Sequence, residues 1–282
     1  MDKLLIVDGH NLLFQMFYGM PSRIVSKDGK PIQGVIGFIG ALLKIINMVS
    51  PSHVVVLFDG EHENLRATLN SDYKKNRIDY SQIDENDNPF SQLPYIYRAL
   101  EVLKISYFEE DEYEVDDIIA SYAHRYGNQI KIVISSFDSD YFQLINDNIS
   151  ILRYRGKKSI ICDREYVLDR FGILPEYYAD FKSLTGDSSD NIKGVEMVGN
   201  KTAMKLINEF GAIEDILAHS ENISNERIKS SIVNGEQRIR NNYKLIKLND
   251  IGKIPFDLGE LVYFDRDLKT NTVLERIGLT IK

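Results

Sequence analysis

“LLIVDG” (residues 4–9) is an apolar run of strand length that stops at an aspartate. The same design recurs in “VVVLFDG” (54–60) and “IVISSFDSD” (132–140). Each run is rich in β-branched residues and is followed or preceded by a helical pattern, such as “GVIGFIGALLKIINMV” (34–49) or “DDIIASYAHRYG” (116–127). Apolar strands alternating with helices make a parallel sheet covered on both faces. Ligands of such sheets bind outside the carboxyl ends of the strands. Asp8, Asp59 and Asp138 are therefore expected to converge, although they are far apart in the chain.

Working outward, the pattern weakens over 61–105. There a polar “DENDNP” (84–89), read as a mobile loop, lies between the basic “YKKNR” (73–77) and a helix near 91–104. “ISILRYR” and “KSIIC”, around Gly156, read as a hairpin with basic residues at its tip. Beyond about residue 163 the chain turns mainly helical. The expectation is an α/β core over 1–165, with 61–105 as an inserted helical region. A helical lobe follows over 166–260, then a tail over 261–282. The length allows one large or two small domains. No apolar run approaches the roughly 20 residues of a membrane span, and the N-terminal apolar stretch is too short for a signal peptide. A lone cysteine, Cys162, can form no internal disulfide and reads as a buried hydrophobe. A cytoplasmic protein is expected.

Nine acids fall where this architecture gathers residues: Asp8, Asp59, Glu114, Asp116, Asp117, Asp138, Asp140, Asp187 and Asp190. Taken singly, each has an ordinary explanation. Acids at a helix start cap it or favour its dipole, and a strand-ending Asp-Gly is turn chemistry. As a group they do not. Carboxylates about 4 Å apart repel by roughly 4 kcal/mol at an effective dielectric of about 20, so a convergent set must bind cations or become protonated. An oxygen-only ligand set favours Mg²⁺ or Mn²⁺. Two such ions roughly 3.5–4 Å apart can activate water and stabilise the leaving oxygen of a phosphodiester.

A net charge of −8 speaks against a nucleic-acid partner. Setting the nine clustered acids aside leaves 33 of the 42 against 34 Lys and Arg, so the excess is local. Next to two of these acids stands “GVEMVGNKTAMKLINEFG” (194–211), a turn and then a helix beginning near Gly199. Its offsets match a helix-hairpin-helix over about 185–211. Free amides at a helix start take a phosphate without reading bases, and Lys201 and Thr202 follow Gly199. A packed turn between helices would look the same in isolation; the adjoining “GDSSDN” favours the phosphate grip.

The ordered set “LLIVDG”, “VVVLFDG”, “YKKNR”, “EVDDIIAS”, “SSFDSD” and “GDSSDNIKGVEMVGNKTA” resembles the 5′ nucleases. These are the flap endonuclease domain at the front of bacterial DNA polymerase I and its free-standing bacterial and phage relatives. The resemblance runs from Leu4 to about Leu248. It implies a PIN-like nuclease core and a two-ion centre. Asp8, Asp59, Glu114 and Asp116 would form the first site, and Asp138 would lie between the sites. Asp140, Asp187 and Asp190 would complete the second, with Asp117 alongside. It implies that Lys74 and Arg77 draw in the scissile phosphate, that Tyr73 stacks on an unpaired base and that Arg66 and Lys75 meet the backbone. It also implies K⁺ on the carbonyls of about Ile192, Val195 and Val198. The implied substrate is DNA with a single-stranded 5′ flap or end. The chain is expected to be a monomer away from membranes, with a DNA polymerase acting in trans.

Three positions depart from the family pattern. Gln15 stands where an arginine is usual, Phe137 where a glycine commonly precedes the first aspartate of “DSD”, and Met197 where the hairpin usually has its first glycine. An amide lacks the guanidinium's charge and fork, so slower rather than lost cleavage is expected, and Gln15→Arg should raise turnover. Two rivals are a branched-DNA binder of this fold that no longer cuts and an RNA-cutting PIN-like nuclease. His10, near the proposed centre, is expected to be satisfied or exposed. Tyr177 and Tyr178 divide between surface and core.

Overall fold

The computed structural model describes residues 2–20, 22–60, 66, 70 and 72–280. Six strands form one sheet: β1 (Lys3–Asp8), β2 (His53–Asp59), β3 (Ser106–Glu110), β4 (Lys131–Ser135), β5 (Ile149–Arg153) and β6 (Ile160–Cys162). Their order is β3-β2-β1-β4-β5-β6, and only β6 runs antiparallel to its neighbour. Side chains alternate between two buried faces. Leu4, Ile6, Val55, Leu57, Ile132 and Ile134 join one apolar cluster, while Leu5, Val7, Val54, Val56, Phe58 and Val133 join the other. Each fully buried side chain of this kind contributes roughly 1.5–3 kcal/mol. Both faces are apolar, which is why these runs read as continuous rather than alternating.

The second cluster is completed by α1 (Gly9–Gly19), α2 (Gln33–Val49) and α3 (Leu93–Leu103). The first is completed by α4 (Val115–Tyr126). Residues of the helical lobe, among them Leu206, Ile232 and Ile239, belong to the same cluster as Leu4 and Ile6. One core therefore crosses the expected boundary near 165. The lobe comprises α5 (Arg164–Phe171), α6 (Tyr178–Thr185), a two-stranded β7 (Gly186–Asp187) and β8 (Ile192–Lys193), α7 (Asn200–Phe210), α8 (Ile213–Ala218) and α9 (Glu226–Ile246).

The segment after 260 does not trail away. The Leu261 carbonyl accepts from the Val54 amide at 2.9 Å, and the Thr280 carbonyl accepts from Lys27 at 3.1 Å. Val273 and Leu274 of α10 (Thr270–Arg276) are buried in the core. The polar stretch 84–89 is also shaped: Asp84 accepts the Asn86 amide, and Arg23 donates to the Asn86 carbonyl at 3.1 Å. Positions 61–65, 67–69 and 71 of the expected inserted region lie outside the described residues.

Candidate active site

The strand order reverses between β1 and β4, and a crevice opens at their carboxyl ends. Asp8 ends β1 and caps α1, its Oδ1 accepting the Asn11 amide at 3.0 Å. Its Oδ2 accepts the Ser136 hydroxyl, just past β4, at 2.9 Å. Gly9 must follow, because a Cβ there would lie 2.4 Å from the Phe58 ring and 2.8 Å from the Leu57 carbonyl oxygen. Asp59 ends β2 and accepts the Val115 amide at 2.8 Å, which ties the start of α4 to the sheet. That bond sets Glu114, Asp116 and Asp117 at the crevice. Asp138 follows β4, and its Oδ1 accepts the Asp140 amide at 2.8 Å.

The lobe brings the rest. Asp187 and Asp190 flank the turn between β7 and β8, and their carboxylate oxygens lie with one of Asp140 within 4.8 Å of one another. At Gly186 (φ +80°) a Cβ would sit 2.3 Å from the Gly194 amide nitrogen, so only glycine lets the two arms of this hairpin cross so closely.

Crowding and burial leave their mark on protonation. Burial first, then the nearby charges of Asp59 and Asp138, push the Asp8 carboxyl up to about 6. Burial and the Asp138 charge push Asp140 up to about 8. Asp116 is raised well above the carboxylate range by burial and by Asp138, and it accepts the Tyr141 hydroxyl. Burial likewise raises Asp138. Other acids are matched by cations. Burial would push Asp187 up, but bonds from Lys182 and Ser189 outweigh it and hold it below the usual value. Glu114 accepts from Arg66 and, at 2.7 Å, from Lys74, and Asp190 accepts from Arg77 at 2.8 Å.

The metal-ligand set expected from sequence thus gathers. Asp117 lies alongside, sharing Arg66 (2.7 Å) with Glu114 and accepting the Asn249 amide (2.9 Å), which joins α4 to the lobe. A cation escaped the sequence reading: Lys182 of α6 bonds Asp187 and stands 3.7 Å from Asp140. Its signal was only a lysine one helical face away from “GD”, which many surface helices share.

The basic segment 73–77 grips the lobe. The Lys74 amide donates to the Asp190 carbonyl at 3.0 Å, and Asn76 donates to the Ser188 carbonyl at 3.1 Å. Tyr73 is 6% exposed, packed with Ala179, Ile192, Leu245 and Ile246. In this arrangement it offers no face to a base, and the stacking expected of it is not what its position provides. Lys75 is exposed and pairs only loosely, at 3.6 Å, with Asp72. His10 is neither satisfied nor exposed: its Nδ1 lies 3.9 Å from Asp59, an ion-pair distance rather than a hydrogen bond, and its buried Nε2 finds no partner among the described residues. Gln15 donates to the Tyr154 carbonyl at 2.5 Å.

The stretch expected as the hairpin leads from β8 into α7. Gly199 caps α7 in extended conformation, and exposed Lys201 follows. The Thr202 amide turns back to the Gly199 carbonyl at 2.9 Å, so the first two amides of the helix are the ones left for a phosphate. Of the carbonyls expected to hold K⁺, that of Val195 accepts from Val198 at 3.1 Å. Met197 adopts φ +62° and is 55% exposed.

Oxygen donors from both sheet and lobe meet at one site, as expected of a member of the 5′ nuclease class. The comparisons agree. Residues 3–172 match the family described as 5′-3′ exonuclease, N-terminal resolvase-like domain, and residues 173–269 match 5′-3′ exonuclease, C-terminal SAM fold. The chain belongs to the 5′-3′ exonuclease family. It is 31% identical to a 5′-3′ exonuclease of Aquifex aeolicus, over 88% of this chain and 82% of that one. It is 30% identical to the thermostable DNA polymerase I of Thermus thermophilus, over 98% of this chain, and spans 33% of that polymerase's length. The fold is shared with a bacteriophage T5 flap endonuclease solved with DNA and metal ions (TM-score 0.73, 22% identity, 98% and 99% of the chains covered). It is shared also with the T5 5′-exonuclease solved with zinc (TM-score 0.70, 24% identity, 87% and 89% covered).

Proposed function

We propose that this chain is a structure-specific 5′ nuclease that hydrolyses DNA phosphodiesters where a single-stranded 5′ arm meets duplex, in replication or repair. The observation that carries the reading is the meeting of Asp140, on the sheet side, with Asp187 and Asp190 of the lobe, within 4.8 Å. Their donor set is all oxygen, and the buried Asp140 Oδ1 has no hydrogen-bond partner among the described residues, which fits a divalent cation. Asp140, Asp187 and Asp190 would hold one ion, Asp8, Asp59, Glu114 and Asp116 the other, and Asp138 would serve both. When bound, Mg²⁺ (or Mn²⁺) supplies an activated water and a counter-charge for the leaving oxygen.

The protein's own groups then have definite tasks. Lys74 and Arg77 now neutralise Glu114 and Asp190. Released by cations at those carboxylates, they would turn to the scissile phosphate, with Arg66 behind them. Ser136 and the Asn11 amide orient Asp8. The duplex would be held without base reading by Gly199, Lys201 and Thr202, and K⁺ on the carbonyls of Ile192, Val195 and Val198 would stiffen that turn. A cytoplasmic monomer working beside a separate DNA polymerase completes the proposal.

Three substrates test it in Mg²⁺: a 5′-flap DNA, the same flap made of RNA, and unbranched blunt duplex DNA. Cleavage at the DNA junction, far faster than on the other two, is expected. Preferential RNA cleavage would indicate an RNA nuclease instead, and flap binding without cutting would indicate a branched-DNA binder.

A further inference from the structure

Nearly every basic side chain around the crevice is matched by an acid. Arg66, Lys74, Arg77 and Lys182 all have carboxylate partners. The turn joining β5 to β6 gathers four that are not: among the described residues, Arg153, Arg155, Lys157 and Lys158, like Lys193 and Lys201 of the lobe, form no ion pair. This turn follows the carboxyl end of β5, so it rises at the same edge as Asp138.

Two bonds hold it there, from Gln15 and to Phe137, and two more brace them. The Gln15 amide donates to the Tyr154 carbonyl at 2.5 Å, and the Arg155 amide donates to Ser159 Oγ at 2.9 Å. Arg153 donates to the Phe137 carbonyl at 3.0 Å, while the Phe137 amide donates to Asn11 Oδ1 at 3.0 Å. Asn11 and Gln15 are one turn apart on α1, so one helix face aligns both Phe137 and the turn. On that scaffold the Arg155 guanidinium lies 4.8 Å from the centre of the Phe137 ring, while that of Arg153 lies over Phe142 at 4.7 Å and only 6.0 Å from Phe137. The Arg153 Nε is buried without a hydrogen-bond partner among the described residues. Two neighbouring like charges, neither with an acid, raise each other's energy unless an anion joins them. An exposed arginine resting on an aromatic ring is common surface packing. Here the ring belongs to the residue before Asp138, and the turn that carries the arginines follows the same carboxyl edge of the sheet.

We propose that Arg155, stacked on Phe137, is a phosphate-binding residue for the strand whose bond is cut. It would take the phosphodiester adjoining the one at the carboxylates, with Arg153 adding charge from beneath. The guanidinium would thus come to the α1 face from the β5–β6 turn, beside the neutral Gln15. This rests on the nuclease reading for the identity of the strand.

The test is binding of fluorescently labelled 5′-flap DNA in EDTA between 50 and 200 mM KCl, so that no metal or turnover enters. Arg155→Ala is expected to weaken binding about tenfold and to lower the salt slope by about 0.7–0.9, one phosphate contact. Arg155→Lys should keep the slope yet lose part of the affinity, since an ammonium has no fork and stacks less well. Neutral methylphosphonates beside the junction on the 5′-arm strand should weaken the wild type but hardly affect Arg155→Ala. Should the Ala variant melt early, Arg155→Gln carries the same slope comparison. Wild-type affinity and slope in Arg155→Ala, or equal weakening of both proteins by methylphosphonates, would overturn the proposal. A wild type that fails to bind the flap would instead overturn the nuclease reading, and this contact with it.

Discussion

The two sides of the crevice handle crowded negative charge differently. On the sheet side, Asp8 and Asp116 have no ion-pair partner among the described residues, and their carboxyls are pushed up by burial and by each other's neighbours. On the lobe side, Asp187 is held low by Lys182, and Asp190 is bonded to Arg77. On the sheet side Glu114 draws long basic side chains, Lys74 and Arg66, while no lysine or arginine among the described residues pairs with Asp8 or Asp116. The lobe's acids sit on a turn beside helices that can supply one. Without metal, Asp8 and Asp116 are therefore relieved by protons, and Asp187 and Asp190 by lysine and arginine. Divalent ions would replace both, and the displaced cations are those placed to meet a phosphate.

The largest expected effect breaks the junction between the sides. Asp138→Ala should reduce flap cleavage by at least about a thousandfold, with binding in EDTA unchanged; single-turnover rates and anisotropy decide this together.

Opposite responses on the two sides would sharpen the contrast. Lys182→Ala leaves Asp140 and Asp187 without their buried partner, so it should cost about 3 kcal/mol in chelator, largely recovered on adding Mn²⁺. Asp8→Asn removes a charge that had no cation, so it should be neutral or stabilising in chelator and should abolish part of the Mn²⁺ gain. Thermal melts with and without metal measure both. Equal losses from the two variants in chelator would contradict the contrast.

The pH dependence follows from the raised carboxyls. Native Asp8 and Asp140 keep their protons up to about 6 and about 8, while the unfolded chain releases them near 3.8. Their contribution is fully present below the unfolded value and is lost as pH rises through 6 and 8, by up to about 1.4 kcal/mol per pH unit per group. Melting temperature in EDTA should therefore fall from about pH 4 to about pH 8. Saturating Mg²⁺ should reverse the fall most strongly at the alkaline end.

The smallest effect lies away from the acids. Met197 holds φ +62°, a conformation costly for a side-chain-bearing residue. Met197→Gly should stabilise the chain by about 0.5–1 kcal/mol, after the larger entropy of glycine in the unfolded state, as read by denaturant midpoint.

Much of this site was legible because a parallel sheet does the gathering. An apolar run ending in aspartate fixes both the strand and where its carboxylate lies, so Asp8, Asp59 and Asp138 could be brought together from residue type and order alone. The Asp59 bond to the Val115 amide extends that logic to Glu114 and Asp116. What could not be read depends on contacts between distant segments. The burial of Tyr73 is set by its fit against Ile192 and Leu245, and the placing of Asp117 by Arg66 and Asn249. Lys182 became part of the centre only because α6 leads into the β7–β8 turn. The wrap of 261–280 rests on backbone bonds to Ser52, Val54 and Lys27 and on Val273, Leu274 and Ile277 packing into the distant core, for which the local sequence signals no partner.

The most direct test strips the chain of metal with EDTA and then follows single-turnover cleavage of a 5′-end-labelled DNA flap as Mg²⁺ is returned. The account predicts no cleavage without metal, then cutting at the junction whose rate rises with about the second power of Mg²⁺ before saturating, as two ions require. Cleavage that survives EDTA, or a folded chain that binds the flap and never cuts it at any Mg²⁺ or Mn²⁺ concentration, would contradict it.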